Sequence, residues 1–499
     1  MTPDTAELAV ADGAAELVDG RPLAGPAPRA GERALPARSR GRRRTLCVPR
    51  ASSLDPARAQ AVRECWRALW TSRLLIWVAG VGTLLTYGFG PARHAFNPPG
   101  ITRGFGWLGD LLAAPAARWD AAWYGVIAHY GYRPDLGTFT SSRDAFFPLY
   151  PLGLRAFAAV GVPLVLGGVL FSLIALALAL YGIHRLTTLE LARTGGRSLL
   201  GTVAPGADDS RARRARADVA RLAVMVTALS PMAFYFSAVY SESLYLALSV
   251  GLFYAARTGR FAVVGLLGAL AGATRSAGIV LLLPAVMLYL YGPREDRAPD
   301  FPRARGLAVR YRPRKDLLWL ALAPLGLALY VAYLGLSGGD PLSPFHAQDV
   351  WGRHFAGPYL GVWDGLRAGF GGLRQLLSLQ QSHLYYPIDG KSAFINSEHN
   401  LLLLAFLAAG VVAIVGVLRR LPLAYGVYVI AALALPLSYP VTAQPLMSLP
   451  RFLIVLFPLS MWLGAWLAGH PRAQRPALLV SGLLLAFFVA QFATWHWVS

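Results

Sequence analysis

Four short segments bring together residue types able to transfer a group onto a hydroxyl. RWDAAWYGVIAHYGY, residues 118–132, sets Asp120 between Trp119 and Trp123 and just before Tyr124. A carboxylate so placed can take the proton of an attacking hydroxyl. VYSESLYL, residues 239–246, supplies a second acid, Glu242, behind Tyr240 and Ser241. GATRSAG, residues 272–278, flanks Arg275 with Ser276 and with small residues that let a ligand or another helix approach closely. SLPRFLIVLFPL, residues 448–459, holds Arg451 at the start of an apolar run. Planar guanidinium groups suit phosphate, so Arg275 and Arg451 could each face one. Asp120 and Glu242 are the candidate catalytic acids, and Arg275 and Arg451 the candidate phosphate ligands. Trp119, Trp123, Tyr124, Tyr240 and Ser276 are the candidate substrate-binding neighbours.

Each residue also has a purely structural reading. Asp120 would cap a helix of about ten residues whose Trp and Tyr side chains lie on the membrane. Ser241 would cap the next helix, with Glu242 at its positive end. Arg275 would be an interfacial anchor, and Arg451 would snorkel to headgroups. His129, His346, His354, His383 and His399 show no tight metal-ligand spacing, so no structural zinc and no cofactor is expected. There is no Walker loop, no dinucleotide-binding glycine fingerprint embedded in strand and helix, no GxSxG string read as a strand-to-helix elbow, and no Asp-x-Asp pair on a loop. The last absence argues against a metal-bound nucleotide sugar.

These residues must be positioned by membrane helices. Of 499 residues 55% are apolar and only 15% charged, which does not suit a water-exposed surface. The net charge of +21 falls in short clusters between long uncharged runs, the pattern of cytoplasmic loops rather than of a nucleic-acid-binding face. All but two of the 47 basic residues are Arg, the exceptions being Lys315 and Lys391. Residues 1–60, rich in Ala, Pro, Gly and Arg, read as a disordered cytoplasmic tail ahead of a membrane domain at 61–499, with no cleaved signal peptide. Both cysteines, Cys47 and Cys65, precede the first span, so no disulfide braces an external domain.

Uncharged runs able to cross about 30 Å of hydrocarbon lie at 74–90, 164–183, 222–241, 276–292, 317–336, 400–418, 421–440, 452–469 and 476–495. Shorter runs at 243–256 and 261–274 are counted as spans, whereas 146–163, broken by Pro148, Pro151 and Arg155, dips in without crossing. The expected fold is therefore an all-α polytopic integral membrane protein of about eleven transmembrane helices with external amphipathic or re-entrant helices. Its Arg clusters, thirteen residues up to Arg73, then Arg185–Arg221, Arg257 with Arg260, Arg294–Lys315, Arg419 with Arg420 and Arg472 with Arg475, all fall on the cytoplasmic side. Loops at about 91–146 and 337–399 are then external, and every candidate site residue lies at that face, with Glu242 and Arg275 submerged below it.

Taken in order, RWDAAWYGVIAHYGY, AFFPLYPLGLR, LSPMAFYFSAVYSESLYL, GATRSAG and SLPRFLIVLFPL resemble the GPI mannosyltransferase 2 (PIG-V) family in its actinobacterial branch, over roughly residues 70–495. The resemblance implies a GT-C-type membrane glycosyltransferase that uses a polyprenyl-phosphate sugar, typically mannose, and it matches the Asp of the family's WD motif to Asp120. Bacteria make no GPI anchor, so the implied acceptor is a lipid-linked glycan, a lipoglycan or an exported protein. The implied location is the plasma membrane, with the active site on the external face and no nucleic-acid partner. The competing expectation is a flippase or transporter of lipid-linked sugar, which also needs many spans, intramembrane charges and broken helices.

Overall fold

The computed structural model describes residues 55–92, 95–132, 143–192, 209–302, 308–337, 339–379 and 393–498, with 209–216 and 393 described by backbone only. Most of the tail read at 1–60 lies outside these residues, as does His383. The described residues are helical, with no strand and only two isolated bridges. Five helical stretches are long and apolar enough to cross a membrane: Pro56–Tyr87, Leu164–Ala192, Lys315–Leu336, Phe394–Arg420 and Pro471–Ala493. Shorter apolar helices join them at Phe261–Gly272, Ser276–Tyr291 and Leu423–Leu437. The protein is an all-α, multi-pass membrane protein.

Helix α1, Pro56–Tyr87, starts inside the segment read as tail, because Asp55 accepts the Ala57 amide and proline occupies the first turn. Its 32 residues rise about 48 Å, well beyond the span expected at 74–90. Between α1 and the next long helix lie α2, Gly106–Ala113, α3, Ala121–Tyr130, and α4, Leu149–Ala159, an eleven-residue helix over the stretch that carries Pro148 and Pro151. Then come α5, Leu164–Ala192, and α6, Asp209–Leu229. Next are α7, Glu242–Arg257, α8, Phe261–Gly272, and α9, Leu282–Tyr291.

Four runs expected as single spans are interrupted instead. The 222–241 run ends as helix at Leu229, since Pro231 has no amide to donate, and continues only as a 3-10 turn at Ala233–Phe236. The 276–292 run is 3-10 over Ser276–Leu281 before α9 begins. The 317–336 run changes from 3-10 at Lys315–Leu322 to α10, Leu325–Leu336, at Pro324. After α10, α11 covers Pro358–Ser378, followed by α12, Ala393–Arg420, and α13, Leu423–Leu437. The 452–469 run breaks between α14, Leu449–Ile454, and α15, Phe457–Gly469, ahead of Pro458; α16, Pro471–Ala493, closes the fold. Irregular backbone at membrane depth must find partners inside the protein. Two are supplied by the stretch between α1 and α5: Val239 N–H donates to Ala116 O at 3.0 Å, and Leu149 N–H to Ala273 O at 2.9 Å.

Arg73 does this for the break after α6. Counted above as part of the cytoplasmic cluster, it is instead 4% exposed and faces inward from α1. Its guanidinium donates to Ala228 O (3.1 Å), Ala233 O (2.9 Å) and Ser237 Oγ (3.1 Å), taking up carbonyls that the interrupted helix leaves open. Arg73→Leu should therefore destabilise the fold by about 1–3 kcal/mol for each carbonyl left without a donor. Thermal unfolding in detergent measures this, and a melting temperature equal to wild type would show the capping to be dispensable. Arg257 is likewise no part of a solvated basic face. It is fully buried, paired to Glu190 at 2.5 Å and to Glu295 at 3.1 Å, some 22 Å along α7 from Glu242. The positive-inside count was thus made partly from arginines whose role is internal.

The breaks matter because the candidate residues sit on them. Tyr240 and Glu242 follow the first, Arg275 occupies the second at the end of α8, and Arg451 lies in the six-residue α14 before the last. Close helix contact holds Arg275 there: a Cβ on Gly326 of α10 would lie 1.7 Å from Ala269 O and 2.7 Å from Ala273 N.

Candidate active site

Asp120 occupies the position just before α3, but its side chain does not cap the helix. One oxygen, Oδ2, accepts from Arg451 NH1 at 2.5 Å, and Oδ1 has no hydrogen bond among the described residues. The turn that carries it is strained. Trp119 has φ +55°, a left-handed conformation a bulky side chain rarely adopts, costing about 1–3 kcal/mol. Neighbouring groups hold it in place. Tyr240 Oη accepts the Asp120 amide at 3.0 Å and donates to Arg118 O at 3.0 Å, clamping both sides of Trp119. The Arg118 side chain donates to Ala493 O at 3.1 Å and stacks over Trp495. The Trp119 ring packs edge-on against Trp495 and Trp497, with centroids 5.5 and 5.2 Å away.

Glu242 begins α7 and is fully buried. Oε1 accepts from Arg275 NH1 at 2.9 Å and from Arg451 Nε. Oε2 is buried with no hydrogen-bond partner among the described residues. Ser241 stands at the cap position without capping; its Oγ meets Tyr124 Oη at 2.9 Å instead. Arg451 thus bridges the two acids, and its guanidinium also lies over the rings of Tyr240 and Tyr235 at 4.7 and 5.3 Å. Four charges from four distant stretches of chain form one continuous cluster: Asp120, Arg451, Glu242, Arg275. Asp120 keeps 25% of its side chain exposed and Arg275 17%, so the cluster is open at both ends and closed at Glu242.

The structure places the remaining candidates differently. Tyr240 and Tyr124 join the cluster through the bonds just given. Trp123 does not face it, but packs inside between Phe96 (4.6 Å) and Phe146 (5.9 Å). Nor does α3 lie on the membrane: residues 121–128 are all buried, so the aromatic belt expected around Asp120 is an internal aromatic core. Ser276 is partly buried beside Arg275 and makes no side-chain hydrogen bond among the described residues. No group of three or more His, Cys, Asp or Glu able to hold a metal occurs among the described residues. His346 pairs with Asp340 and His399 bonds Ile395 O and Trp497 O.

One site residue was not singled out from the sequence. Arg353, in the segment between α10 and α11, donates to Tyr439 O at 3.1 Å and Met447 O at 3.3 Å, just before the turn that presents Arg451. Nothing in WGRHF distinguishes it from any other loop arginine.

Residues 106–290 match the family model described as Mannosyltransferase (PIG-V). The motif resemblance and the match fall on the same family. The matched segment contains Asp120, Glu242 and Arg275, whereas Arg451 lies beyond it and reaches the same cluster through the fold. No curated protein matches the chain significantly. Among solved structures the chain is similar to the Archaeoglobus fulgidus oligosaccharyltransferase tethered to an acceptor peptide containing the NVT sequon, at 12% identity and a TM-score of 0.36. The similarity covers 86% of this chain and 55% of that one, so the chain spans little more than half the length of that protein.

Proposed function

We propose that the protein is a membrane mannosyltransferase that moves mannose, with inversion, from a polyprenyl-phosphate donor to the hydroxyl of a lipid-linked or exported acceptor at the non-cytoplasmic face. The observation that carries this reading is the Asp120–Arg451–Glu242–Arg275 cluster, a partly exposed carboxylate bonded to one guanidinium and linked through Glu242 to a second, within a chain whose central segment matches a mannosyltransferase family.

In the reaction the acceptor hydroxyl gives its proton to Asp120 Oδ1, the oxygen that carries no hydrogen bond among the described residues. Its oxygen bonds the anomeric carbon as the bond from that carbon to the phosphate oxygen breaks. The electron pair leaves with the phosphate, whose charge rises from about −1 as a diester to about −2 as a monoester near neutral pH. Proton transfer removes the negative charge that binds Arg451 NH1. That guanidinium is then released toward the new phosphate charge at the moment it forms, the kind of interaction that accelerates a chemical step because it strengthens in the transition state. Glu242 keeps both guanidiniums aimed into the pocket. The prenyl tail accounts for a site at the bilayer, each buried CH₂ contributing about 0.8 kcal/mol.

The test is transfer of labelled mannose from a polyprenyl-phosphate donor by the purified protein in liposomes, with the product identified by mass spectrometry. A mannosylated acceptor and released prenyl phosphate are expected. Movement of intact donor across the bilayer with no new glycosidic bond would instead make the protein a transporter.

A further inference from the structure

The cluster described above carries no net charge. Two guanidiniums, Arg275 and Arg451, face two carboxylates, Asp120 and Glu242, and every one of the four is engaged with another. A neutral, self-satisfied cluster has little to offer an incoming phosphate before the reaction begins. Arg353 differs. It forms no ion pair among the described residues, and its Nε is left without a hydrogen-bond partner there. The chain around it is built to hold it. Gly352 turns through a left-handed conformation at φ +64°, Arg353 then bridges Val441, and Ala356 N–H donates to Ser438 O at 2.9 Å. Its two terminal nitrogens grip Tyr439 O and Met447 O, and Arg451 follows Met447 by four residues.

We propose that Arg353 is the standing counter-charge for the donor's phosphate, the positive group that brings an anionic isoprenoid lipid to the Asp120–Arg451 cluster and holds it there before transfer. The inference rests on the donor class proposed above. Electrostatics are in keeping with this position: burial pushes the Arg353 guanidinium down to about 10, the positive charge of Arg451 pushes the same way, and Asp120 opposes. A bound phosphate would relieve the repulsion between the two arginines, because both would then share one anion. It would also give Arg451 a partner to turn to when Asp120 takes up the proton.

Equilibrium binding needs no turnover, so it separates this inference from the reaction. The full-length protein in detergent is titrated with a short-chain isoprenyl phosphate, and with the corresponding uncharged isoprenol. The wild type should bind the phosphate more tightly than the alcohol. Arg353→Met should lose about tenfold or more of that phosphate affinity, the worth of one charge-assisted contact. Arg353→Lys, which keeps the charge but not the two-pronged grip, should stay within about threefold of wild type at an unchanged melting temperature. A phosphate preference that survives Arg353→Met intact overturns the counter-charge role alone. Equal losses in the Lys and Met variants, with a lowered melting temperature, overturn it in favour of a structural clamp. No phosphate preference in the wild type overturns the donor class and this inference together.

Discussion

Asp120→Asn should lower the rate of mannose transfer by about 10²–10⁴-fold, the usual worth of a positioned general base, while leaving the fold intact. The substitution keeps the size of the side chain and the backbone amide that Tyr240 holds. It removes the lone pair basicity at Oδ1, the one cluster oxygen both exposed and without a hydrogen bond among the described residues. Arg451 loses a charged partner but keeps Glu242, and a quarter-exposed ion pair contributes little stability once solvent screens it. Single-turnover transfer from a labelled prenyl-phosphate donor measures the effect, and phosphate binding to the same variant separates chemistry from affinity. Turnover near wild type in a variant with an unchanged melting temperature would show that another group takes the proton. Asp120→Glu should recover part of the rate, since the carboxylate returns but its distance to the acceptor changes.

Residue chemistry was legible in the sequence where it came in compact motifs. An acid flanked by tryptophans, a Ser-Glu-Ser turn and two arginines beside small residues or proline could each be read locally, and the fold brings the four charges into contact across separations of up to 331 residues. What stayed hidden depends on contacts that no local window contains. Trp123 looked interfacial because Trp often is, yet Phe96 and Phe146 enclose it. Arg73 looked cytoplasmic because it closes a basic stretch, yet the carbonyls it bonds become available only when Pro231 interrupts a helix some 160 residues later. Span positions were recoverable from hydropathy to within a turn or two at most ends. Interruptions within them were less so, because Pro324 and Pro458 sit inside runs whose composition alone is compatible with continuous helix. Arg353 was invisible for a related reason. The role proposed for it rests on two backbone carbonyls and on the lack of a carboxylate partner among the described residues, not on its neighbours in the chain.

Glu242→Gln should be the most damaging single change to stability in the site, by about 3–5 kcal/mol. The side chain is fully buried and, among the described residues, its Oε1 is the only acceptor Arg275 and Arg451 have in common. Replacing it by an amide leaves shape and one carbonyl acceptor, but leaves two guanidiniums opposed by one carboxylate, Asp120, with Arg275 losing its charged partner altogether. Hydration of Arg275 at its 17% exposed edge should moderate the loss toward the lower end of that range. A coupled test distinguishes charge from packing. If uncompensated charge is the cause, Glu242→Gln combined with Arg275→Gln should melt at a higher temperature than Glu242→Gln alone, because the second change removes the cation that the first left unpaired. Should the double variant instead be the sum of two losses, Glu242 is holding the chain break at Tyr240–Glu242 together by shape and hydrogen bonding, and the guanidiniums are passengers rather than partners.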